Sequence, residues 1–227
     1  MKLIKYNLYN IWNQMTDMAH KCGRNPQEIT LLAVSKNHSI TAIKEAISAG
    51  QYSFGENYVQ EGVEKIKILA NPLLLWHFIG RVQSNKSRLI SEYFDWCHTV
   101  SCYRIAHLLN KYRSCDQKPL NVLIQINISY EETKAGILLE DLPALVRDMN
   151  HFPRLKLRGL MAIPKEPKNN NSPVMEYQRL KNAFNQLKDD YPDLDTLSLG
   201  MSRDINDAII CGSTMVRIGT SIFGKRH

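Results

Sequence analysis

The sequence predicts an α/β protein, a single (β/α)8 TIM-type barrel with an extra N-terminal helix. Short apolar runs of strand length alternate with amphipathic stretches of helix length along the chain. Several runs can be buried on both faces, as the strands of a parallel sheet require. The chain contains eight apolar runs of strand length, which is the number of strands in this barrel. The predicted strands are Leu31–Ser35, Tyr52–Phe54, Leu75–Ile79, Phe94–Thr99, Asn121–Ile128, Leu155–Ala162, Thr196–Leu199 and Met215–Ile218.

Helical periodicity fills the intervals between these strands. In Ile40–Ala49, for example, apolar residues at positions 40, 43, 46 and 47 share one face. A doubly wound open sheet is the alternative arrangement, because strand edges are poorly defined by sequence. The other predicted helices are Val59–Leu69, Tyr103–Tyr112, Leu138–Met149, Val174–Leu187, Asp204–Ile210, a weaker one after Arg81, and a first helix from Asn7 to Cys22 that ends near Gly23.

The chain length agrees with one barrel. A chain of 227 residues suits a single domain over residues 1–227, and no interdomain linker interrupts the pattern. The longest stretch rich in helix and strand breakers is Pro164–Pro173, which contains three consecutive asparagines. We interpret it as a mobile loop after strand six.

Composition excludes several classes of protein. Hydrophobic residues make up 44% of the chain, which argues against disorder. No apolar run approaches the roughly 20 residues of a membrane helix, and Met1–Tyr9 lacks the features of a secretory signal, so we expect a cytoplasmic protein. The five cysteines form no CxxC pair, which predicts reduced thiols. The net charge of +7 is spread along the chain and indicates a solvated surface, so nucleic-acid binding is an unfavoured alternative.

Chemically informative residues follow the strands, where a (β/α)8 barrel places its site. Lys36 ends the apolar run Leu31–Val34. Partial desolvation there would favour the neutral amine, which is nucleophilic toward carbonyl groups. A strand-end lysine that extends to solvent is the competing interpretation.

Two glycine-containing segments predict a phosphate site. Gly200-Met201-Ser202 follows strand seven, and Arg217-Ile218-Gly219-Thr220 closes strand eight, where this fold commonly binds phosphate. Glycine allows close backbone approach, and N–H and hydroxyl groups donate to phosphate oxygens. Turns alone could also explain these glycines. A reactive lysine facing a phosphate site suits pyridoxal 5'-phosphate (PLP), but equally a phosphorylated sugar in a Schiff-base aldolase.

The same segments carry a resemblance that covers nearly the whole chain. The sequence closely resembles the pyridoxal phosphate homeostasis protein family, whose members are relatives of the PLP-binding barrel of alanine racemase. The matching segments are Leu32–Lys36, Phe54–Glu61, Trp76–Gly80, Gln83–Lys86, Gln125–Ser129, Lys134–Gly136, Arg158–Pro164, Leu199–Ser202 and Gly212–Gly224.

The resemblance implies a role for each residue of the predicted site. It implies PLP as a Schiff base on Lys36, with Arg217 against the pyridine nitrogen. It further implies a protein that carries and buffers PLP and so supports vitamin B6 and amino-acid homeostasis. Asn37-His38 and Arg203 depart from the family pattern and put only the pocket mouth in doubt. The remaining implied cofactor-binding residues are Asn57 and Ile79 around the ring, and Met201, Ser202, Gly219 and Thr220 around the phosphate.

We do not predict an enzyme. An arginine can only donate, so Arg217 would keep the ring nitrogen unprotonated and the cofactor a weak electron sink. A racemase of low activity is the alternative; it needs a second acid/base group, for which Tyr58 is the candidate. The family's racemase relatives use a tyrosine of a β-rich second domain, for which we expect no room here. We therefore expect a monomer, with PLP and apo-PLP enzymes as partners.

Other polar residues receive plainer interpretations. His77 is expected to be an inward, hydrogen-bonded barrel residue rather than a base. Trp76 and Phe78 are expected to pack in the core, and Lys134 in an exposed loop. Two more features stay open. Glu56 either orients groups at the ring or is a helix N-terminal carboxylate. The cluster of Arg81, Lys86 and Arg88 either is solvated or binds an anion such as a second PLP.

Overall fold

A computed structural model of the chain describes residues 3–131, 134–165 and 173–224. Parallel strands close into a barrel in chain order, with β8 paired to β1. Closure excludes the open doubly wound sheet and confirms the (β/α)8 barrel. The strands are β1 (Thr30–Val34), β2 (Ser53–Glu56), β3 (Leu75–Phe78), β4 (Trp96–Val100), β5 (Leu120–Ile126), β6 (Leu155–Ala162), β7 (Thr196–Ser198) and β8 (Met215–Ile218).

A helix precedes the barrel and others cover its outside. Because each strand returns to the same end through a helix, all the carboxyl ends of the strands meet at one rim. The helices of the described residues are α1 (Leu3–Lys21), α2 (Ile40–Ser48), α3 (Val59–Leu69), α4 (Ser87–Tyr93), α5 (Tyr103–Tyr112), α6 (Leu142–Met149), α7 (Val174–Asp190), α8 (Ile205–Ile210) and α9 (Thr220–Phe223).

Alternation along the strands separates two apolar regions. Phe54 and Phe78 belong to the main core between strands and helices. Trp96, Leu123 and Met161 form a second, smaller cluster, which we place on the inward faces of β4, β5 and β6. The barrel wall is therefore buried on both sides, as the apolar strand patterns indicate.

The extra helix α1 supports helix α9, which follows β8. Its buried stripe consists of Leu8, Ile11, Met15 and Ala19, at helical spacing. The Asn7 side-chain amide donates to the Ile222 carbonyl of α9 at 2.9 Å. Helix α1 thus anchors the segment that directly follows β8.

Several element boundaries differ from the prediction. Strand β2 extends over Gly55 and Glu56, which we had expected to follow it, because the backbone of both pairs with β3 despite weak strand propensity. Helix α1 begins at Leu3 rather than Asn7, and α9 was not predicted. The predicted start of α6 at Leu138 is wrong: a 3-10 turn, Leu139–Asp141, precedes it.

Two further expectations concern the loop after β6 and the membrane. Most of the predicted loop Pro164–Pro173 lies outside the described residues. Within the described ranges, no helix combines the length and apolarity needed to span a bilayer.

Candidate functional site

The residues predicted to form the site all lie at the rim formed by the carboxyl ends of the strands. Lys36 stands two residues beyond β1, and Asn57 and Ile79 directly follow β2 and β3. Met201 and Ser202 lie between β7 and α8, and Gly219 joins β8 to α9. Thr220 begins α9. A parallel barrel therefore brings all of these positions to one end of the molecule.

Contacts between the loops join the first and last strands at this rim. The His38 ring stacks on Phe223 of α9, with ring centroids 4.8 Å apart. Gly219 packs against Val34, since a Cβ at Gly219 would lie 3.3 Å from the Val34 carbonyl oxygen. The half-buried Lys36 thus belongs to a loop that borders the β8–α9 junction.

Arg217 is buried and held by two neighbouring strands. Its Nη1 donates to the carbonyl and the hydroxyl of Ser198 at 2.7 and 2.6 Å, and its Nη2 donates to the Ala162 carbonyl at 2.9 Å. Burial lowers the pKa of the guanidinium, which as an arginine still stays protonated. Of its five N–H groups, the described residues use three. The N–H groups that remain suit an acceptor such as a pyridine nitrogen.

The loop after β7 is organised by Asp204. Its Oδ1 accepts the Met201 N–H at 2.7 Å, and its Oδ2 accepts the hydroxyl of buried Tyr177 at 2.6 Å. Burial and the nearby Asp204 raise the pKa of Tyr177, so its hydroxyl stays protonated. Gly200 opens this loop at φ +89°, and a Cβ there would lie 2.4 Å from the Ala208 Cβ. Only glycine meets both conditions.

Ser202 and Thr220 present donors that no described residue uses. Neither their backbone N–H groups nor their hydroxyls have a hydrogen-bond partner in the described ranges. Ser202 is half-buried and Thr220 exposed, each at the start of a loop or helix above the barrel. Donors of this kind fit a phosphate group.

Asn57 and Ile79 supply the remaining predicted positions. The Asn57 Oδ1 is buried and has no hydrogen-bond partner among the described residues, so it can accept from a ligand hydroxyl. The Ile79 side chain lies beside Gly55 and Leu32, because a Cβ on Gly55 would fall 3.1 Å from Ile79 Cδ1 and 3.3 Å from Leu32 Cδ2. The residues present therefore fit a ligand with an aldehyde, a phosphate and an aromatic ring.

Histidine 77 lies inside the barrel, as predicted. His77 Nδ1 and His98 Nε2 are 3.0 Å apart, and the His77 ring stacks on Trp96. Burial lowers the pKa of His77 to about 3 and that of His98 well below its usual value, so both rings stay neutral. This confirms an inward hydrogen-bonded histidine.

Two other interpretations change. Glu56 is a strand residue, fully buried against Lys65, and not a helix N-terminal carboxylate. Lys134 is not simply exposed: its Nζ pairs with Glu131 at 2.7 Å and donates to the Pro164 carbonyl at 3.0 Å. Among the described residues, no group of three or more His, Cys, Asp and Glu side chains could hold a metal ion.

Sequence reasoning missed the residues that hold the site residues in place. Ser198 accepts a hydrogen bond from Arg217, and Asp204 accepts one from the loop after β7. Lys65 donates a hydrogen bond to the loop after β1. Only Lys65 left a signal, its spacing of four residues from Glu61 on a predicted helix.

Comparisons with known proteins agree with this geometry. The family model described as alanine racemase, N-terminal domain, matches residues 7–227. The pyridoxal phosphate homeostasis protein of Escherichia coli is 54% identical over 100% of this chain and 98% of its own length. The protein of the same name from Vibrio cholerae is 47% identical over 100% of this chain and 98% of its own length.

Solved structures lead to the same family. PipY of Synechococcus elongatus with PLP bound is 32% identical, with a TM-score of 0.83 over 97% of this chain and 100% of PipY. Alanine racemase of Clostridium difficile, at 14% identity and a TM-score of 0.78 over 99% of this chain and 57% of the racemase, shares the fold. The curated relatives are named for PLP homeostasis rather than for a catalysed reaction, in agreement with the prediction. By identity along its full length and by its barrel, the chain belongs to the pyridoxal phosphate homeostasis protein family.

Proposed function

We propose that this protein binds PLP as a Schiff base on Lys36, and that it carries and buffers the cofactor without an obligatory reaction. In this role it supports vitamin B6 and amino-acid homeostasis. The observation that carries the proposal is the presence, at one rim, of the Lys36 loop, the donors of Ser202 and Thr220 that no described residue uses, and buried Arg217.

Each part of this rim has a separate task. The Lys36 amine attacks the aldehyde carbon, a C=N bond forms, and the aldehyde oxygen leaves as water. N–H and hydroxyl groups of Ser202 and Thr220 donate to the phosphate, and Gly219 and Met201, whose own N–H donates to Asp204, lie beside it. Asn57 and Ile79 line the ring.

Arg217 explains why carriage is favoured over turnover. The cofactor, when bound, supplies an aldehyde and an electron-withdrawing ring. The ring withdraws electrons strongly only when its nitrogen is protonated, and a guanidinium can only donate to that nitrogen. Hydrogen bonds to Ser198 and Ala162 fix the guanidinium, so it remains a donor.

The test is an absorbance spectrum of the protein purified with PLP, followed by borohydride reduction and peptide mass mapping. We expect a visible absorption band and a reduced adduct on Lys36. The band should disappear in Lys36→Ala and persist in Lys44→Ala, which changes an exposed lysine of α2. A colourless wild-type protein, or label scattered over surface lysines, would refute the proposal.

Turnover is measured on the same preparation. We expect interconversion of D- and L-alanine no faster than with free PLP. Racemisation that is well above that background and is lost in Lys36→Ala would support the alternative, a racemase of low activity.

The remaining attributes follow from this function. We propose a monomer of one barrel domain over residues 1–227, located in the cytoplasm, that exchanges PLP with apo-PLP enzymes. Sedimentation with and without PLP tests the monomer, and reactivation of an apo-enzyme at limiting free PLP tests transfer.

A further inference from the structure

A cluster of three charged side chains lies between β2 and α3, on the outer side of the barrel wall. It consists of Glu56, Glu61 and Lys65, which we call the ion cluster. The Lys65 Nζ lies 2.8 Å from Glu56 Oε1 and 2.7 Å from Glu61 Oε1. The side chains of Glu56 and Lys65 are 0% and 6% exposed, and that of Glu61 26%.

The ion cluster holds both peptide groups that flank Lys36. On one side, Lys65 Nζ donates to the Ser35 carbonyl oxygen at 2.7 Å. On the other side, the Asn37 N–H donates to Glu61 Oε1 at 2.6 Å. The Ser35 hydroxyl adds a third link, donating to Glu56 Oε1 at 2.5 Å.

This arrangement restricts the backbone at one residue. The two peptide planes on either side of a Cα define its two soft dihedrals, so holding both planes restricts the direction of its Cα–Cβ bond, from which the side chain extends. Asn37 has a left-handed φ of +61°, which a non-glycine residue adopts at a cost that local contacts must offset. The hydrogen bond to Glu61 is such a contact.

Stability alone is a poor account of the ion cluster. Replacing a buried ion pair by apolar side chains of similar volume is often neutral or stabilising, because desolvation offsets the attraction. Burial indeed raises the pKa of Glu56, although Lys65 opposes this shift. All three N–H donors of Lys65 are directed, to two carboxylates and to the carbonyl before Lys36. What an ion cluster adds over an apolar one is directional attachment of the backbone.

We propose that Glu56, Glu61 and Lys65 are positioning residues for the Lys36 amine. They act through the backbone of Ser35 and Asn37 and do not touch the ligand. This inference rests on the proposed function, in which Lys36 adds to the PLP aldehyde. A reacting group displaced by about 1 Å can lose up to roughly a hundredfold in rate, so a loosened Lys36 loop should slow that addition.

The experiment measures how fast Lys36 reacts with PLP. Stopped-flow absorbance gives the rate, and borohydride trapping with peptide mapping assigns the adduct to Lys36. We expect Lys65→Met to react about tenfold more slowly than the wild type, with Lys44→Met, an exposed lysine on α2, unchanged. Competition by inorganic phosphate should be equal in all variants, since the phosphate donors lie on the loops after β7 and β8.

A pair of substitutions at Glu61 separates positioning from folding. Glu61 is partly exposed, so both variants are expected to fold. Glu61→Gln keeps an oxygen that accepts the Asn37 N–H, whereas Glu61→Met removes it. We expect near wild-type rates for the first variant and slow reaction for the second, at temperatures below the melting transitions of both.

The outcomes separate this inference from the proposed function. If the wild type labels Lys36 but Lys65→Met and Glu61→Met label it at the wild-type rate, the ion cluster has no positioning role and the proposed function stands. A weaker effect of inorganic phosphate in the slow variants would also overturn the inference, because the damage would not be confined to the amine. If the wild type takes no label at Lys36, the proposed function falls, and the inference with it.

Discussion

Glycine 80, the residue after Ile79, is enclosed on two sides, and this predicts a large effect of adding one methyl group. A Cβ at Gly80 would lie 2.0 Å from the carbonyl oxygen of Asn57 and 2.8 Å from its carbonyl carbon. Real Cβ atoms essentially never approach another heavy atom within 3.0 Å, so the overlap is at least about 1 Å. Gly80 cannot move away easily, because its own carbonyl accepts the Thr99 hydroxyl at 2.6 Å.

Gly80→Ala must therefore displace the loop that carries Asn57. Overpacking of this kind costs about 1–3 kcal/mol, and we expect about 3 kcal/mol because the clash is with backbone. For a chain of this size that lowers Tm by roughly 6–12 °C. Because Asn57 is predicted to line the PLP ring, the variant should also bind PLP about tenfold more weakly, a loss of about 1.4 kcal/mol.

Urea unfolding and a PLP titration followed by absorbance measure the two effects. Gly224→Ala is the matched control, since nothing lies within 4 Å of its added Cβ. Its φ of +88° and ψ of −174° lie in a region essentially reserved for glycine, so we expect a cost of about 1–3 kcal/mol, with PLP affinity unchanged. A Gly80→Ala protein as stable as the wild type and equal in PLP affinity would refute the packing argument.

Three other predictions concern ionisable groups. Between pH 7 and pH 5 the free energy of unfolding should fall by roughly 2 kcal/mol for each of His77 and His98, because an unfolded histidine takes up a proton that the folded state excludes. Urea melts at each pH measure this decrease. A free energy of unfolding that does not change with pH would contradict buried neutral rings. Arg113→Met should destabilise by about 3 kcal/mol in urea melts, since it leaves the carbonyls of Ser91, Phe94 and Lys118 without their donor; a loss below 1 kcal/mol would contradict this. Arg88→Gln removes an exposed pair with Glu92, worth about 0.5 kcal/mol or less, and should change Tm by less than about 2 °C. A larger shift would contradict its surface role.

The sequence predicted the order of the elements because each carries its own local pattern. Apolar runs and helical stripes are properties of a few neighbouring residues, so the barrel could be inferred from their alternation. Boundaries depended on partners elsewhere in the chain. Glu56 has low strand propensity, and it belongs to β2 because its backbone pairs with Phe78 and its carboxylate with Lys65.

For the candidate site too, the sequence predicted the positions of residues but not the contacts that support them. The positions of Lys36 and Gly219 followed from the rule that chemistry collects where parallel strands end. The supporting contacts join residues far apart in sequence, such as Arg217 with Ala162 and Tyr177 with Asp204. No local pattern encodes such pairs, and only the closed barrel brings them together.

The strand register links Lys36, the proposed site of Schiff-base formation, to Arg217, the residue proposed to limit turnover. Leu32 of β1 pairs with Arg217 of β8, so both the Lys36 loop and the guanidinium belong to the seam that closes the barrel. The backbone of that loop is bound from outside the wall by Lys65, and the guanidinium from β6 and β7. A change that freed Arg217 to move would have to break hydrogen bonds to two strands. We therefore expect the restraint on turnover to persist through loop substitutions, and to yield only when Arg217 itself is replaced.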